Sequence, residues 1–307
     1  MIPEVFPAVP PRGKLVGIRA QFNGLQEIVL KLPTLTAVLA FALMVSEPVK
    51  ADSPEVLPLQ DVPGVGLTLD ATVNGHPGRF LFDTGWGVTA VTPTVAAAIG
   101  CKPWGRVTGF RAIGERLDSQ RCNAATFQVG AFQAKAPEVL VVYLIKFLPP
   151  GTKPVSGGIG LDLFAGRTVT IQSHAHRLVL ETSASQEARI KTAQEITVRP
   201  VRDAQGAALT VDVAVPTGDG PAWMELDTGN NGPTLIAAHL AHLVGLKAGE
   251  KRSQPLTMPL RPGVTVRDEA IVRDLILDGD IGRGFLDHWD LTLDLAQGKG
   301  WLAPAQQ

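Results

Sequence analysis

The segment Arg79-Phe80-Leu81-Phe82-Asp83-Thr84-Gly85 returns 144 positions later (227 − 83 = 144) as Ala222-Trp223-Met224-Glu225-Leu226-Asp227-Thr228-Gly229. A repeat of this kind dictates architecture, so the rest of the chain is read outward from it. Each copy follows a run alternating apolar and polar residues, Gly66 to Val73 in the first and Ala208 to Val215 in the second, which predicts a half-buried strand. Turn residues come next, Asn74-Gly75 and Gly218-Asp219-Gly220. A short helical stretch ending in Gly is expected after each copy, Pro93 to Gly100 and Leu235 to Gly245.

A second pair of landmarks lies downstream. Gly158-Ile159-Gly160 precedes the strand-like Thr168 to Ile171, and Asp280-Ile281-Gly282 precedes Asp290 to Asp294. Arg177 to Leu180 and Gly300 to Leu302 then close the two copies with apolar strands. Asp83 to Gly160 spans 160 − 83 = 77 positions and Asp227 to Gly282 spans 282 − 227 = 55, so the first copy carries 77 − 55 = 22 more. The spacing predicts lobe one at 56–182, a polar linker at 183–195 and lobe two at 196–304.

Composition agrees with this plan. The chain has 307 residues, 45% hydrophobic and 19% charged, which excludes a disordered chain and leaves a sizeable core to bury. Gly 32 and Pro 24, with only 6% aromatics, point to short strands joined by turns and exclude a helical bundle. Lys+Arg 28 against Asp+Glu 29 offers no field for nucleic acid, so no nucleic-acid partner is expected.

Residues 1–51 read as an N-terminal extension and signal peptide. Leu32 to Val45 is a 14-residue apolar run, short of the ~20 residues of a spanning helix, and Val49-Lys50-Ala51 has the small residues of an export cleavage site. Export near Ala51 to a periplasmic or secreted location is therefore expected, without a stable membrane anchor. Residues 1–30 are long for such a leader, which suggests initiation further along, at Val29 or Leu30. Cleavage removes five basic and three acidic residues, leaving 23 − 26 = −3.

Cys101 and Cys122 both fall in the exported part, where an even count favours one disulfide over two buried thiols. His239 and His242 sit three apart on an expected helix, and His174 and His176 flank Ala175, yet neither pair has a carboxylate or Cys motif beside it. No metal site and no cofactor is expected.

One Asp-Thr-Gly is an ordinary turn, but two copies, each after an apolar strand and each matched to a later Gly motif, have a chemical logic. Two strand-end loops meeting at a pseudo-twofold axis bring two carboxylates together, and like charges that close cannot both ionise. The ionised one can serve as general base toward a shared water, and the protonated one as general acid toward a carbonyl. Each Thr hydroxyl can lock its loop to the other, and each Gly lets the backbones approach.

At these residues the chain resembles the aspartic peptidases, in particular the bacterial retropepsin-like proteins, duplicated here in one chain as in the pepsin-like enzymes. The resemblance spans nearly all of residues 56 to 304. It implies a mainly all-β, bilobal acid-protease fold: two tandem retropepsin-like β-barrel lobes with short helices. It further implies a catalytic dyad at Asp83 and Asp227, loop support from Thr84, Gly85, Thr228 and Gly229, and structural glycines at Gly160 and Gly282. Glu225, Gly158 and Asp280 depart from the family's apolar places, and Trp86 and Asn230 from its small residue after the Gly. The family's flap matches Val107 to Gly114, placing Gly109, Phe110, Trp86 and Asn230 as substrate-cleft candidates. Lobe two's matching stretch, Leu256 to Val266, contains Pro259 and Pro262 and makes a poor flap. The expected function is an aspartic endopeptidase acting on peptide or protein substrates as a monomer with pseudo-twofold lobes. The alternative is a binding module of the same fold that captures an extended peptide without cutting it. A serine hydrolase is disfavoured, since no Gly-x-Ser-x-Gly occurs.

Overall fold

The structure, a computed structural model, describes residues 53–306 other than Phe147. The apolar run at 32–45 and the cleavage site at Ala51 lie outside the described residues. The described chain is mainly β, in two curled sheets and a third sheet that joins them.

In lobe one, Gly66–Val73 and His76–Phe82 form a hairpin around Asn74-Gly75. Both turn residues have positive φ, 47° and 83°, the conformation a two-residue hairpin turn demands and the reason Asn-Gly stands there. Gly157–Ile159 lies parallel to His76–Phe82 and antiparallel to Ala90–Val91. Lobe two repeats this. Thr210–Thr217 pairs with Gly220–Leu226, and Gly279–Ile281 lies parallel to Gly220–Leu226 and antiparallel to Thr234–Ala237.

The third sheet takes three strands from each half, in the order Glu55–Pro58, Arg177–Leu180, Thr168–Gln172, Trp289–Asp294, Lys299–Pro304, Gln194–Ile196. At its centre Thr170 stands opposite Thr292, their hydroxyls 2.9 Å apart. The two threonines follow Gly160 and Gly282 by the same interval (170 − 160 = 292 − 282 = 10), so equivalent residues meet across an antiparallel pair, as a pseudo-twofold requires. Buried side chains of both lobes and of this sheet form one continuous core. In lobe one it contains Phe80 edge-on to Phe127 and Phe132 stacked on Phe164, pairs worth about 0.5–1.5 kcal/mol each beyond the area they bury.

Three expectations are corrected. Pro93 to Gly100 does form a helix, Pro93–Ala98, capped by the Thr92 hydroxyl. Leu235 to Gly245 does not: Thr234–Ala237 is a strand, parallel to Val264–Arg273, and only Ala241–Val244 makes a 3-10 turn. Strand pairing that buries Ile236 and Ala237 outweighs the local helical pattern. His239 and His242 therefore do not share an α-helix. The stretch 183–195 is also more ordered than a polar linker, holding the helix Ser183–Ile190 with a capping box on Thr182 and Ser185.

The third correction concerns the 22 extra residues. Phe132–Val141 runs parallel to Ala90–Val91 in lobe one, as Val264–Arg273 runs parallel to Thr234–Ala237 in lobe two, so these are the same strand. Gln254–Arg261 then corresponds to the second half of Arg116–Val129, and Trp104–Phe110 has no counterpart. Leu256 to Val266 is thus the equivalent of the turn at Gly130 and not of the flap. Its prolines do no harm there: Pro259 sits at a register shift and Pro262 lies in the turn itself. This hairpin docks onto Gln194 and Glu195, where the Arg261 guanidinium donates to the Glu195 carbonyl.

Candidate active site

Each Asp-Thr-Gly loop begins where its strand ends, and the adjacent short strand fixes its height. The Asp83 N–H donates to the Ile159 carbonyl at 3.2 Å and the Asp227 N–H to that of Ile281 at 3.0 Å. The two loops are cross-tied. The Thr84 N–H donates to the Thr228 hydroxyl (3.1 Å), the Thr228 N–H donates to the Thr84 hydroxyl (2.9 Å), and that hydroxyl donates to the Leu226 carbonyl (2.6 Å). Both threonines are fully buried, where each unmade bond costs more than a made one contributes.

The carboxyls sit over the glycines of the opposite loops. A Cβ on Gly85 would stand 2.7 Å from the Asp227 carboxyl carbon, and one on Gly229 would strike the Asp83 carboxylate. Each carboxylate also accepts its own loop's glycine N–H, from Gly85 to Asp83 at 2.8 Å and from Gly229 to Asp227 at 2.7 Å. The Asp83 carboxyl is pushed well above its ordinary value, first by burial, then by the charge of Asp227 and a hydrogen bond to it, with Glu225 adding to the effect.

Gly160 and Gly282 hold the supporting turns. A Cβ on Gly282 would lie 2.8 Å from the Asn230 amide carbon, and the Arg283 N–H donates to the Asn230 carbonyl at 2.9 Å. In lobe one, Thr89 gives its N–H (2.8 Å) and hydroxyl (2.7 Å) to Asp162, whose carboxyl burial lifts to about 6 despite those donors.

Trp86 and Asn230 follow the two glycines and do different work. The Trp86 indole lies against Gly158, where any Cβ would collide with it, and joins a small apolar group with Leu81, Leu144 and Val155. Asn230 turns inward, donating to Asp280 (3.1 Å) and Pro233 (3.3 Å) and accepting the Gly232 N–H (2.9 Å). Where lobe one has Trp86 over a glycine, lobe two has Asn230 on a carboxylate.

Gly109 and Phe110 lie in the flap hairpin, opposite Leu117 and Arg116, with Phe110 57% exposed. The hairpin's tip reaches the other lobe: the Ile276 N–H donates to the Ala112 carbonyl at 3.0 Å. Cys101 and Cys122 are bonded, tying the end of the helix Pro93–Ala98 to the second flap strand.

Sequence reasoning missed two contacts between the lobes. Arg283 binds Asp61 (2.9 Å), Asn231 (3.0 Å) and Asp287 (3.0 Å), fastening lobe two to the strand Gln60–Val62 that precedes the first hairpin of lobe one. Its place directly after Gly282 is the only signal, because nothing in the sequence announces that Asp61 comes near. Ile276, at the flap tip, has no local signature at all.

Residues 69–163 match the sequence model of a family described as aspartyl protease. The match begins in the first hairpin and ends just past Gly160, so it covers Asp83-Thr84-Gly85. Over this segment, less than a third of the chain, the sequence is similar to that family. A search of curated proteins finds no match.

Proposed function

We propose that this protein is an aspartic endopeptidase that hydrolyses peptide bonds with Asp83 and Asp227 as its dyad. The observation that carries the reading is the reciprocal seating of each carboxyl over the other loop's glycine, with the threonine cross-ties holding both loops in register. Two carboxyls held this way share one proton. The ionised member takes a proton from a bound water as that water attacks the scissile carbonyl, and the protonated member hydrogen-bonds the carbonyl oxygen as charge develops on it. The proton taken from water then goes to the leaving amine. Both carboxyls come from one chain, so a monomer is sufficient. The flap hairpin of lobe one, with its tip on Ile276, would close over an extended peptide.

Incubating the mature chain with a mixed peptide library across pH, with and without a transition-state-mimicking inhibitor, tests this. Cleavage with a bell-shaped pH profile and resistance to chelators is expected. Asp83→Asn or Asp227→Asn should each abolish turnover while leaving the fold intact, and the double change should cost little more than either alone. A peptide captured but uncut at every pH, equally in both variants, would establish the binding-module alternative. Full activity in Asp227→Asn would move the dyad to a dimer of lobe-one sites.

We further propose export with cleavage after Ala51. The disulfide is compatible with it, and no described helix is long and apolar enough to cross a membrane. N-terminal sequencing of the exported chain should find Asp52 first; a cytosolic protein starting at Met1 would refute it.

A further inference from the structure

Residues two apart in a strand share a face, so Glu225 points to the same side of Gly220–Leu226 as Asp227 just beyond its end. The flanking strands extend this face sideways. Glu225 is the register partner of Asp212 on one side and of Asp280 on the other. The equivalent row in lobe one is Thr68, Leu81 and Gly158, with no ionisable group. Lobe two thus places a row of carboxyls behind one member of the dyad, and lobe one places none behind the other.

No cation compensates the inner part of that row. Among the described residues no Arg, Lys or His forms a salt bridge to Asp83, Asp227, Glu225 or Asp280, while Arg199 holds Asp212 at 2.8 Å. Asp212 also feels Asp278 and Asp203. Asp280 is 4% exposed and has the Asn230 amide as a donor; Glu225 has the Thr210 hydroxyl.

Resting on the peptidase reading above, we propose that Glu225 and Asp280 are positioning residues that keep the dyad's shared proton in place toward neutral pH. Four uncompensated carboxyls around one junction compete for protons, and each negative charge that forms opposes the next. Burial and the charge of Asp227 lift Asp280 to about 8 and raise Glu225 well above its ordinary range. As pH rises toward these values, the charge that begins to form on the row makes loss of the dyad's last proton harder than it would be beside side chains that cannot ionise. Nothing in this requires either residue to touch substrate.

Glu225→Gln and Asp280→Asn test it, read through the pH profile of kcat/KM. The alkaline limb should move down by about one pH unit in each, with the acid limb unmoved and kcat at the optimum within a few-fold of the parent. Glu225→Leu, which copies Leu81 of lobe one, serves where Gln disturbs the fold. Side-chain carboxyl 13C NMR titration gives a readout that needs no turnover: the dyad's later step should fall in the variants. Folded variants whose alkaline limb and carboxyl titration both match the parent would overturn the proposal. If no chain cleaves peptide yet the titration still moves, the peptidase reading falls and the proton coupling stands.

Discussion

At the scale of single residues the site depends on what is absent as much as on what is present. Gly85 and Gly229 carry no Cβ because the opposite carboxyl occupies that volume, which separates them from glycines needed only for a turn. Gly229→Ala should displace the Asp83 carboxyl and cost about 100-fold in kcat, the order expected for a reacting group moved by about 1 Å. Gly218→Ala, with open space around it, is the control and should leave kcat unchanged. Equal kcat in the two variants would show that the loop glycines are ordinary turn residues. The positions of both Asp-Thr-Gly loops were legible in the sequence because a repeat records which residues are equivalent. The partners of Trp86 and Asn230 were not legible, since each depends on the residue across the sheet: a glycine leaves room for the indole, and a carboxylate holds the amide. Glu225 and Asp280 stood out separately as departures from an apolar pattern. Only strand register shows that the two departures are neighbours.

Among the elements, the same logic separates what local pattern decides from what pairing decides. The first hairpin, the helix Pro93–Ala98 and the strands after each Gly motif follow from alternation, turn residues and caps. The strand Thr234–Ala237 does not, because its conformation is set by neighbours on both sides. The length difference between the copies was visible as a number, and the structure gives it a shape: an additional strand in lobe one, Trp104–Phe110, and a longer loop between Phe132–Val141 and Gly157–Ile159 than between Val264–Arg273 and Gly279–Ile281. Its root is tied by Cys101–Cys122, a link of sequence separation 21 whose Cα atoms are 5.7 Å apart. The chain-entropy model gives about 3 kcal/mol for a loop of that length. Replacing both cysteines with Ala should therefore lower Tm by several degrees, and adding reductant to the parent should do the same. Thermal denaturation of the three samples checks this, and coincident curves would mean that the link contributes nothing to folding.

Across the whole molecule, two lobes related by a pseudo-twofold carry unequal charge near the axis, and pH should act on that inequality. Asp83, Glu225, Asp280, Asp162 and Asp212 all have carboxyls raised by burial in the fold. A folded-state value above the unfolded one means that the native protein holds protons the unfolded chain releases. The stabilisation is then complete below about pH 4 and is lost as pH rises through the folded values, about 6 for Asp162 and about 8 for Asp280. Asp61 works the other way, lowered by its bond to Arg283, so its contribution disappears only as pH falls below the ordinary carboxylate range. Together these place maximum stability near pH 4–5, with a decline spread over roughly pH 5 to 8, more acidic than the usual optimum. Thermal denaturation from pH 4 to 9 should show Tm falling through that window. Asp280→Asn should flatten its upper half specifically, since the amide cannot ionise on the way to pH 8. A Tm that is level or rising from pH 5 to 8 would mean that the buried carboxyls find compensation as they ionise, and the uncompensated row behind Asp227 would no longer be a sound account of lobe two.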